Sequence, residues 1–175
     1  MEDAVDEGIT SAEIAELLLG SVEETFPGRI FLWAPGTGTK HGFGDNMDFS
    51  PKTIEQHIQL TKQITGREIG IALHGSTGLR NHDLSEASKA GVIKVNWSTE
   101  SLYIRSNAAR EYYKVILDQM EKTHKDWKNT AMDNGVQRFV STAYIPKVQE
   151  RMLILGGEGK GGAAMKVIRA SQSNS

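Results

Sequence analysis

Short apolar runs alternate with amphipathic stretches along most of this chain. Each run has the length of a strand and is rich in branched apolar side chains, which is typical of buried strands. The predicted strands are residues 29–33, 69–73 and 92–96. Apolar side chains at helical spacing predict helices over residues 11–22, 53–65, 82–90, 99–123 and 134–153. Because helices alternate with strands, the pattern predicts βαβ units and a parallel sheet.

Polar residues and a proline mark the predicted helix starts. Thr10 and Glu13 have the spacing of a capping box. The Ser50-Pro51 pair places proline in the first turn of the second helix. Asn81 is expected to cap the third helix. These signals set the helix starts independently of the apolar pattern.

The C-terminal end of the chain has a different composition. Residues 156–162 are mostly glycine, which favours a flexible break after the last predicted helix. Residues 171–175 are Ser, Gln and Asn only, which is typical of a disordered terminus. We therefore expect a folded domain over residues 1–155 and a flexible Gly/Ser-rich tail over residues 156–175.

Composition and charge narrow the classes of function. The 175 residues suffice for one domain with a core. The net charge of −2, with acids and bases well mixed, gives no sign of a nucleic-acid partner. The chain has no cysteine, so a metal would need histidine and carboxylate ligands, and a cytoplasmic location is permitted. No apolar run is long enough to span a membrane, and the acidic start does not resemble a secretory signal.

Two histidines follow predicted strands. His41 lies in the glycine-rich loop after the first strand, and His74 comes directly after the second. Ligands bind at the carboxyl ends of parallel strands, so the two rings are expected to converge. Two neutral imidazoles suit zinc, although a catalytic zinc site normally has three protein ligands. The alternative for each ring alone, a hydrogen-bonding surface histidine, stays open.

Small and polar residues follow the second and third strands. They are Gly75, Ser76 and Thr77 after the second strand, and Asn96, Ser98 and Thr99 after the third. Glycine backbone and hydroxyl groups could cradle an anion after the second strand, and an ordinary tight turn explains that loop equally well. The group after the third strand, taken alone, fits a polar helix cap.

Taken together and in order, these motifs resemble the class II (zinc-dependent) fructose/tagatose-bisphosphate aldolase family. The matching motifs are Glu2-Asp3-Ala4, His41-Gly42, His74-Gly75-Ser76-Thr77-Gly78 and Asn96-Trp97-Ser98-Thr99. Order and spacing agree from about residue 2 to residue 113, and residues 69–112 are the specific part. The resemblance covers the C-terminal portion of the family only. It implies an α/β fold, part of a (β/α)8 TIM barrel, with about three strands and their helices plus C-terminal helices.

The resemblance also implies roles for single residues. His41 and His74 are similar to two of the three zinc-binding histidines, and Glu2 to the glutamate that moves the enolisation proton. The residues that match substrate-binding positions are Gly42, Gly75, Ser76, Thr77, Asn96, Ser98 and Thr99. A monovalent cation, Na⁺ or K⁺, would assist phosphate binding. A homodimer in the cytoplasm is expected.

The implied reaction is reversible cleavage of a ketose 1,6-bisphosphate, with fructose 1,6-bisphosphate favoured, to dihydroxyacetone phosphate and glyceraldehyde 3-phosphate. Trp97 is bulkier than the usual aliphatic residue, Ala4 replaces a glycine, and Ser98 stands where the fructose and tagatose enzymes differ. Nothing matches the family's first zinc ligand or its acid–base aspartate, so this chain alone is expected to be an inactive fragment. A tagatose-bisphosphate aldolase and a non-catalytic, phosphosugar-binding half-barrel are the alternatives. A flavodoxin-like module is disfavoured because three strands are too few for its sheet.

Overall fold

A three-stranded parallel sheet forms the centre of the molecule. The structure, a computed structural model, describes residues 8–44, 46, 49–132 and 134–172, without the side chains of residues 131 and 132. The strands lie side by side in chain order: β1 (Leu32–Trp33), β2 (Gly70–Leu73) and β3 (Val92–Val95). All three fall within the predicted runs, and the parallel sheet is confirmed.

Helices cover one side of this sheet and continue to the C-terminal end. They are α1 (Ala12–Ala15), α2 (Ser21–Thr25), α3 (Pro51–Thr65), α4 (Asn81–Ala90), α5 (Thr99–Ile116), α6 (Trp127–Met132), α7 (Gly135–Ile154) and α8 (Gly161–Gln172). A π-helical turn (Glu16–Gly20) joins α1 to α2, and a 3₁₀ turn (Leu117–Met120) extends α5. No helix of the described ranges is both long and apolar enough to cross a lipid bilayer.

The core lies between the sheet and the helices that precede and follow β2. Its fully buried side chains include Leu19, Trp33, Ile54, Ile69, Ile71, Leu73 and Leu84. Removing an aliphatic side chain of this size from water contributes about 1.5–3 kcal/mol. Ile54 of α3 and Leu84 of α4 belong to this cluster, in which α3 packs against β2 and α4 against β3.

The described residues leave part of the other face of the sheet uncovered. Ile93 of β3 is 69% exposed there. Gly70 is the β2 residue beneath Ile93, since a Cβ at position 70 would overlap the Ile93 side chain. A parallel sheet is normally covered on both faces, so the exposed Ile93 marks a surface suited to further packing.

Two helix starts differ from the predictions. Ser11 caps α1, its hydroxyl accepting a hydrogen bond from the Ile14 N–H at 3.3 Å. Thr10 is instead buried, and its hydroxyl accepts from the Gly36 N–H at 2.8 Å. The predicted capping box is therefore wrong, because a tertiary contact engages Thr10. The predicted Asn81 cap is also wrong, because α4 already includes Asn81 as its first residue.

The C-terminal region contains two helices that the pattern did not predict, α6 and α8. All described residues of α8 are exposed, and they lie within the expected tail at 156–175. Its glycines stand only in the first turn, and the following Ala, Met and Lys residues favour helix. The division into a domain over residues 1–155 and a tail stays a prediction.

Candidate functional site

Two histidine side chains meet at the carboxyl ends of β1 and β2. The ring centroids of His41 and His74 are 5.8 Å apart, with the ring planes at 65°. His74 follows the last residue of β2, the buried Leu73, and is itself half-buried. His41 lies in the loop after β1 and is exposed. The fold thus brings together two rings that are far apart in sequence.

The histidine pair suits a zinc ion in donor type and spacing. Two imidazoles on one tetrahedral zinc, with nitrogens about 2.1 Å from it, have ring centres roughly 5 Å apart. Within the described ranges, no group of three or more His, Cys, Asp or Glu side chains is placed to hold a metal. The histidine pair would therefore supply two donors of a set that normally has three.

Asn96, directly after β3, places its carboxamide beside the His74 ring. Its Nδ2 lies 3.0 Å from His74 Nε2, and its backbone N–H donates to the Leu73 carbonyl at 2.9 Å. The Lys94 ammonium donates to Asn96 Oδ1 at 2.7 Å. Because Lys94 engages the oxygen, the amide NH₂ group faces the imidazole. Sequence reasoning missed Lys94, although alternation along a strand places positions 94 and 96 on one face.

The loop after β2 is fixed by its backbone and its hydroxyl groups. Gly75 has φ +61°, and a Cβ there would lie 2.7 Å from the Lys40 carbonyl oxygen, so only glycine fits. The buried Ser76 hydroxyl donates to the Asn96 carbonyl at 2.9 Å. The buried Thr77 hydroxyl accepts from the Glu100 N–H at 3.3 Å. Both hydroxyls therefore tie this loop to the segment after β3.

Asn46 ties the loops after β1 and β2 together, and no motif or spacing in the sequence indicates this role. This side chain is 4% exposed, and its Nδ2 donates to the carbonyls of Gly75 and Thr77 at 3.1 and 2.9 Å. Its Oδ1 accepts from the Lys40 N–H at 2.7 Å. Thr39 adds a second link, donating from its hydroxyl to the His74 carbonyl at 2.8 Å.

The remaining predicted site residues are spread around this centre. Gly42 has φ +86° with open space where a Cβ would stand. Ser98 is exposed and Thr99 half-buried at the start of α5. Glu2, the expected proton-transfer residue, lies outside the described residues. The described site is thus the histidine pair, Asn96 and the loop after β2.

An aromatic and ionic cluster borders the site on the α5 side. Trp97 Nε1 donates to Glu100 Oε2 at 2.7 Å, and an Arg151 terminal nitrogen donates to the same oxygen. Partial burial acts to raise the pKa of the Glu100 carboxyl. The hydrogen bonds from Trp97 and Arg151 outweigh burial and hold this pKa below its ordinary value. Glu100 is therefore an ionised acceptor at neutral pH.

Comparison with known sequences points to one family. The model of the family described as fructose-bisphosphate aldolase class-II matches residues 3–160. The fructose-bisphosphate aldolase of Streptococcus pneumoniae serotype 4 is 31% identical over 130 residues, which is 73% of this chain and 42% of that protein. The fructose-bisphosphate aldolase of Streptococcus pyogenes serotype M1 is 36% identical over 80 residues, 45% of this chain and 26% of that protein. The chain spans less than half the length of these curated relatives.

Comparison with solved structures concerns the fold. The fructose-bisphosphate aldolase of Campylobacter jejuni superimposes with a TM-score of 0.64 at 19% identity, over 88% of this chain and 49% of that one. The YdjI aldolase of Escherichia coli K-12 gives a TM-score of 0.56 at 18% identity, over 87% of this chain and 47% of that one. The sheet and its helices therefore match part of a TIM barrel, which confirms the predicted fold class.

Proposed function

Since the chain belongs to the class II fructose-bisphosphate aldolase family, we propose that it carries part of the active site for reversible ketose 1,6-bisphosphate cleavage. Fructose 1,6-bisphosphate is the favoured substrate, with dihydroxyacetone phosphate and glyceraldehyde 3-phosphate as products. The observation that carries this proposal is the convergence of His41 and His74 beside Asn96 at three adjacent strand ends. Because the described residues supply two zinc ligands, we expect little or no turnover from this chain alone.

His41 and His74 would hold the zinc ion, which when bound supplies Lewis-acid polarisation of the substrate ketone. The Asn96 carboxamide, oriented by Lys94, would bind the dihydroxyacetone unit through its polar atoms. The histidine pair and the Asn96 carboxamide follow the ends of neighbouring strands whose side chains pack in the core. Such preorganised donors stabilise developing charge because they need little reorganisation during the reaction.

Substrate phosphate would be bound by the loops after β1 and β2 and by the start of α5. The residues proposed for this binding are Gly42, Gly75, Ser76, Thr77, Ser98 and Thr99. Gly75 brings backbone close to a ligand, and the Asn46 hydrogen bonds keep that loop in place. A monovalent cation would share the phosphate charge. Glu2 would act as the carboxylate that moves the carbon-bound proton.

Zinc binding by the purified chain is the direct test. Elemental mass spectrometry of a monodisperse fraction should find about one zinc per chain for the wild type. His41→Ala and His74→Ala should each lower that content, whereas His82→Ala, an exposed histidine on α4, should retain it. Loss of zinc only in His82→Ala, or retention in both site variants, would contradict the proposed ligands.

Cleavage of tagatose 1,6-bisphosphate is the second candidate, and Ser98 supports it. The family's tagatose enzymes have a small residue where its fructose enzymes often have an acidic or amide residue. Because little or no turnover is expected of this chain alone, the affinities for the two sugar bisphosphates, measured by calorimetry with added zinc, separate these candidates. Zinc-independent binding of either sugar without turnover would favour the third candidate, a phosphosugar-binding half-barrel.

We further propose that the chain forms a homodimer in the cytoplasm. The exposed Ile93 supports self-association, because an apolar side chain on an uncovered part of a sheet face favours burial. Sedimentation analysis should show a dimer for the wild type and less dimer for Ile93→Gln. A monomer for both the wild type and the variant would contradict the proposed homodimer.

A further inference from the structure

Trp97, where the chain departs from the family motif, has partners on two helices. Its ring stacks parallel to the Tyr144 ring of α7, with centroids 5.9 Å apart and planes at 4°. The Arg151 guanidinium, also from α7, lies 5.4 Å from the Trp97 ring centroid. The Trp97 indole Nε1 donates a hydrogen bond to Glu100 of α5. The bulky side chain therefore joins the segment after β3 to α7.

Arg151 and Glu100 form an ion pair that water reaches only in part. Their side chains are 15% and 31% exposed, and one Glu100 oxygen, Oε2, accepts from both Arg151 and Trp97. Ion pairs at fully exposed positions contribute little, because water screens them and the side chains lose entropy. Partial burial and the shared acceptor make this pair a better-defined contact than the surface pair Arg110–Glu111.

Glu100 also contacts the loop after β2, which belongs to the candidate site. Its backbone N–H donates to the Thr77 hydroxyl, and the next residue, Ser101, pairs through its hydroxyl with Tyr144 Oη at 2.9 Å. Thr77 lies in the loop whose Ser76 hydroxyl holds the Asn96 carbonyl. A continuous series of contacts thus runs from α7 to both loops of the site.

We propose that Arg151 is a positioning residue: through Glu100 and Trp97 it sets the placement of Asn96 and of the Thr77 hydroxyl. Arg151 itself binds no substrate in this scheme. The inference rests on the proposed function only in assigning substrate contacts to Asn96 and Thr77. Misplacement of such groups by a fraction of an ångström is costly, because effective orientation depends steeply on geometry.

The test uses Arg151→Met with Arg110→Met as its matched control on an exposed pair. In Arg151→Met we expect the Asn96 side-chain amide and the Glu100 backbone amide to shift in NMR spectra. We also expect affinity for inorganic phosphate, titrated in the same samples, to fall by about tenfold. Arg110→Met should change neither. Unchanged Asn96 resonances in a folded Arg151→Met protein would overturn the inference.

Two further variants separate positioning from stability. Arg151→Lys should keep most of the phosphate affinity, because one charged donor can still reach Glu100. Glu100→Gln keeps an acceptor for Trp97 and weakens the ion pair, so it tests the same link if Arg151→Met fails to fold. An unshifted Asn96 amide in folded Glu100→Gln would likewise overturn the inference. If wild-type protein binds no phosphate, the proposed function fails while the NMR shifts still decide the positioning role.

Discussion

The Asn96 carboxamide faces the His74 imidazole across two neighbouring strands, with Asn96 Nδ2 3.0 Å from His74 Nε2. A carboxamide can present either its oxygen or its NH₂ group to a ring. The Lys94 ammonium on β3 donates a hydrogen bond to the Asn96 oxygen, so the NH₂ group of Asn96 faces the His74 ring. The contact that the His74 ring makes with Asn96 is thus coupled to an exposed lysine on β3.

Lys94→Met should therefore change the Asn96–His74 contact without unfolding the protein. Lys94 is exposed, so we expect the free energy of unfolding to change by less than about 0.5 kcal/mol. The His74 ring nitrogens should shift in ¹⁵N NMR spectra, because the carboxamide is no longer held by its oxygen. Lys89→Met, on α4, is the control. Identical His74 spectra in Lys94→Met and the wild type would refute the coupling.

Gly75→Ala should destabilise the protein more than Gly42→Ala. Both glycines have positive φ, which alone costs an alanine about 1 kcal/mol. A methyl group at position 75 would also meet the Lys40 carbonyl at 2.7 Å, while position 42 has open space. We expect a loss of about 3 kcal/mol or more at position 75. Urea unfolding of the two variants measures the difference, and equal losses would contradict the described packing.

Asn46→Ala should cost about 2–3 kcal/mol of unfolding free energy. The substitution leaves the Gly75 and Thr77 carbonyls and the Lys40 N–H without this buried partner. Asn129→Ala, at an exposed position of α6, should be close to neutral. Chemical denaturation of both variants checks the prediction. A neutral Asn46→Ala would mean that the two loops are held by other contacts.

The Glu100 carboxyl should contribute to stability in a pH-dependent way. Its pKa is held below the ordinary value of 4.5, so its charged form stabilises the folded state. This contribution is complete above about pH 4.5 and is lost as pH falls through the depressed folded-state pKa. The difference in unfolding free energy between wild type and Glu100→Gln should therefore narrow on acidification. A difference that stays constant down to pH 3 would contradict the assigned ionisation.

The sequence predicts those site residues that follow the carboxyl ends of strands. His41, His74 and Asn96 were found because each follows an apolar run, and parallel strands bring their carboxyl ends together. Asn46 was missed because its role depends on carbonyls far away in the chain. The capping prediction failed for the same reason, since Thr10 contacts Gly36.

Other features depend on side chains that meet only in the folded state. Trp97 was noted as unusual in size, but its stacking on Tyr144 requires α7 to lie against α5. In the sequence pattern, Arg151 and Glu100 look like any other charged residue on a helix. Only the ion pair that they form in the folded structure sets them apart. Local periodicity predicts which face of a helix is apolar, and it does not predict which charged groups will meet.

Gly70 and Ile93 share one volume on the partly uncovered face of the sheet. The end of the isoleucine side chain lies where a Cβ at position 70 would stand. Because Ile93 is largely exposed, an alanine at position 70 would not be excluded, and it would turn the isoleucine side chain outward. Glycine at position 70 thus lets Ile93 lie flat along the sheet, and any larger residue there would raise the apolar relief of this face.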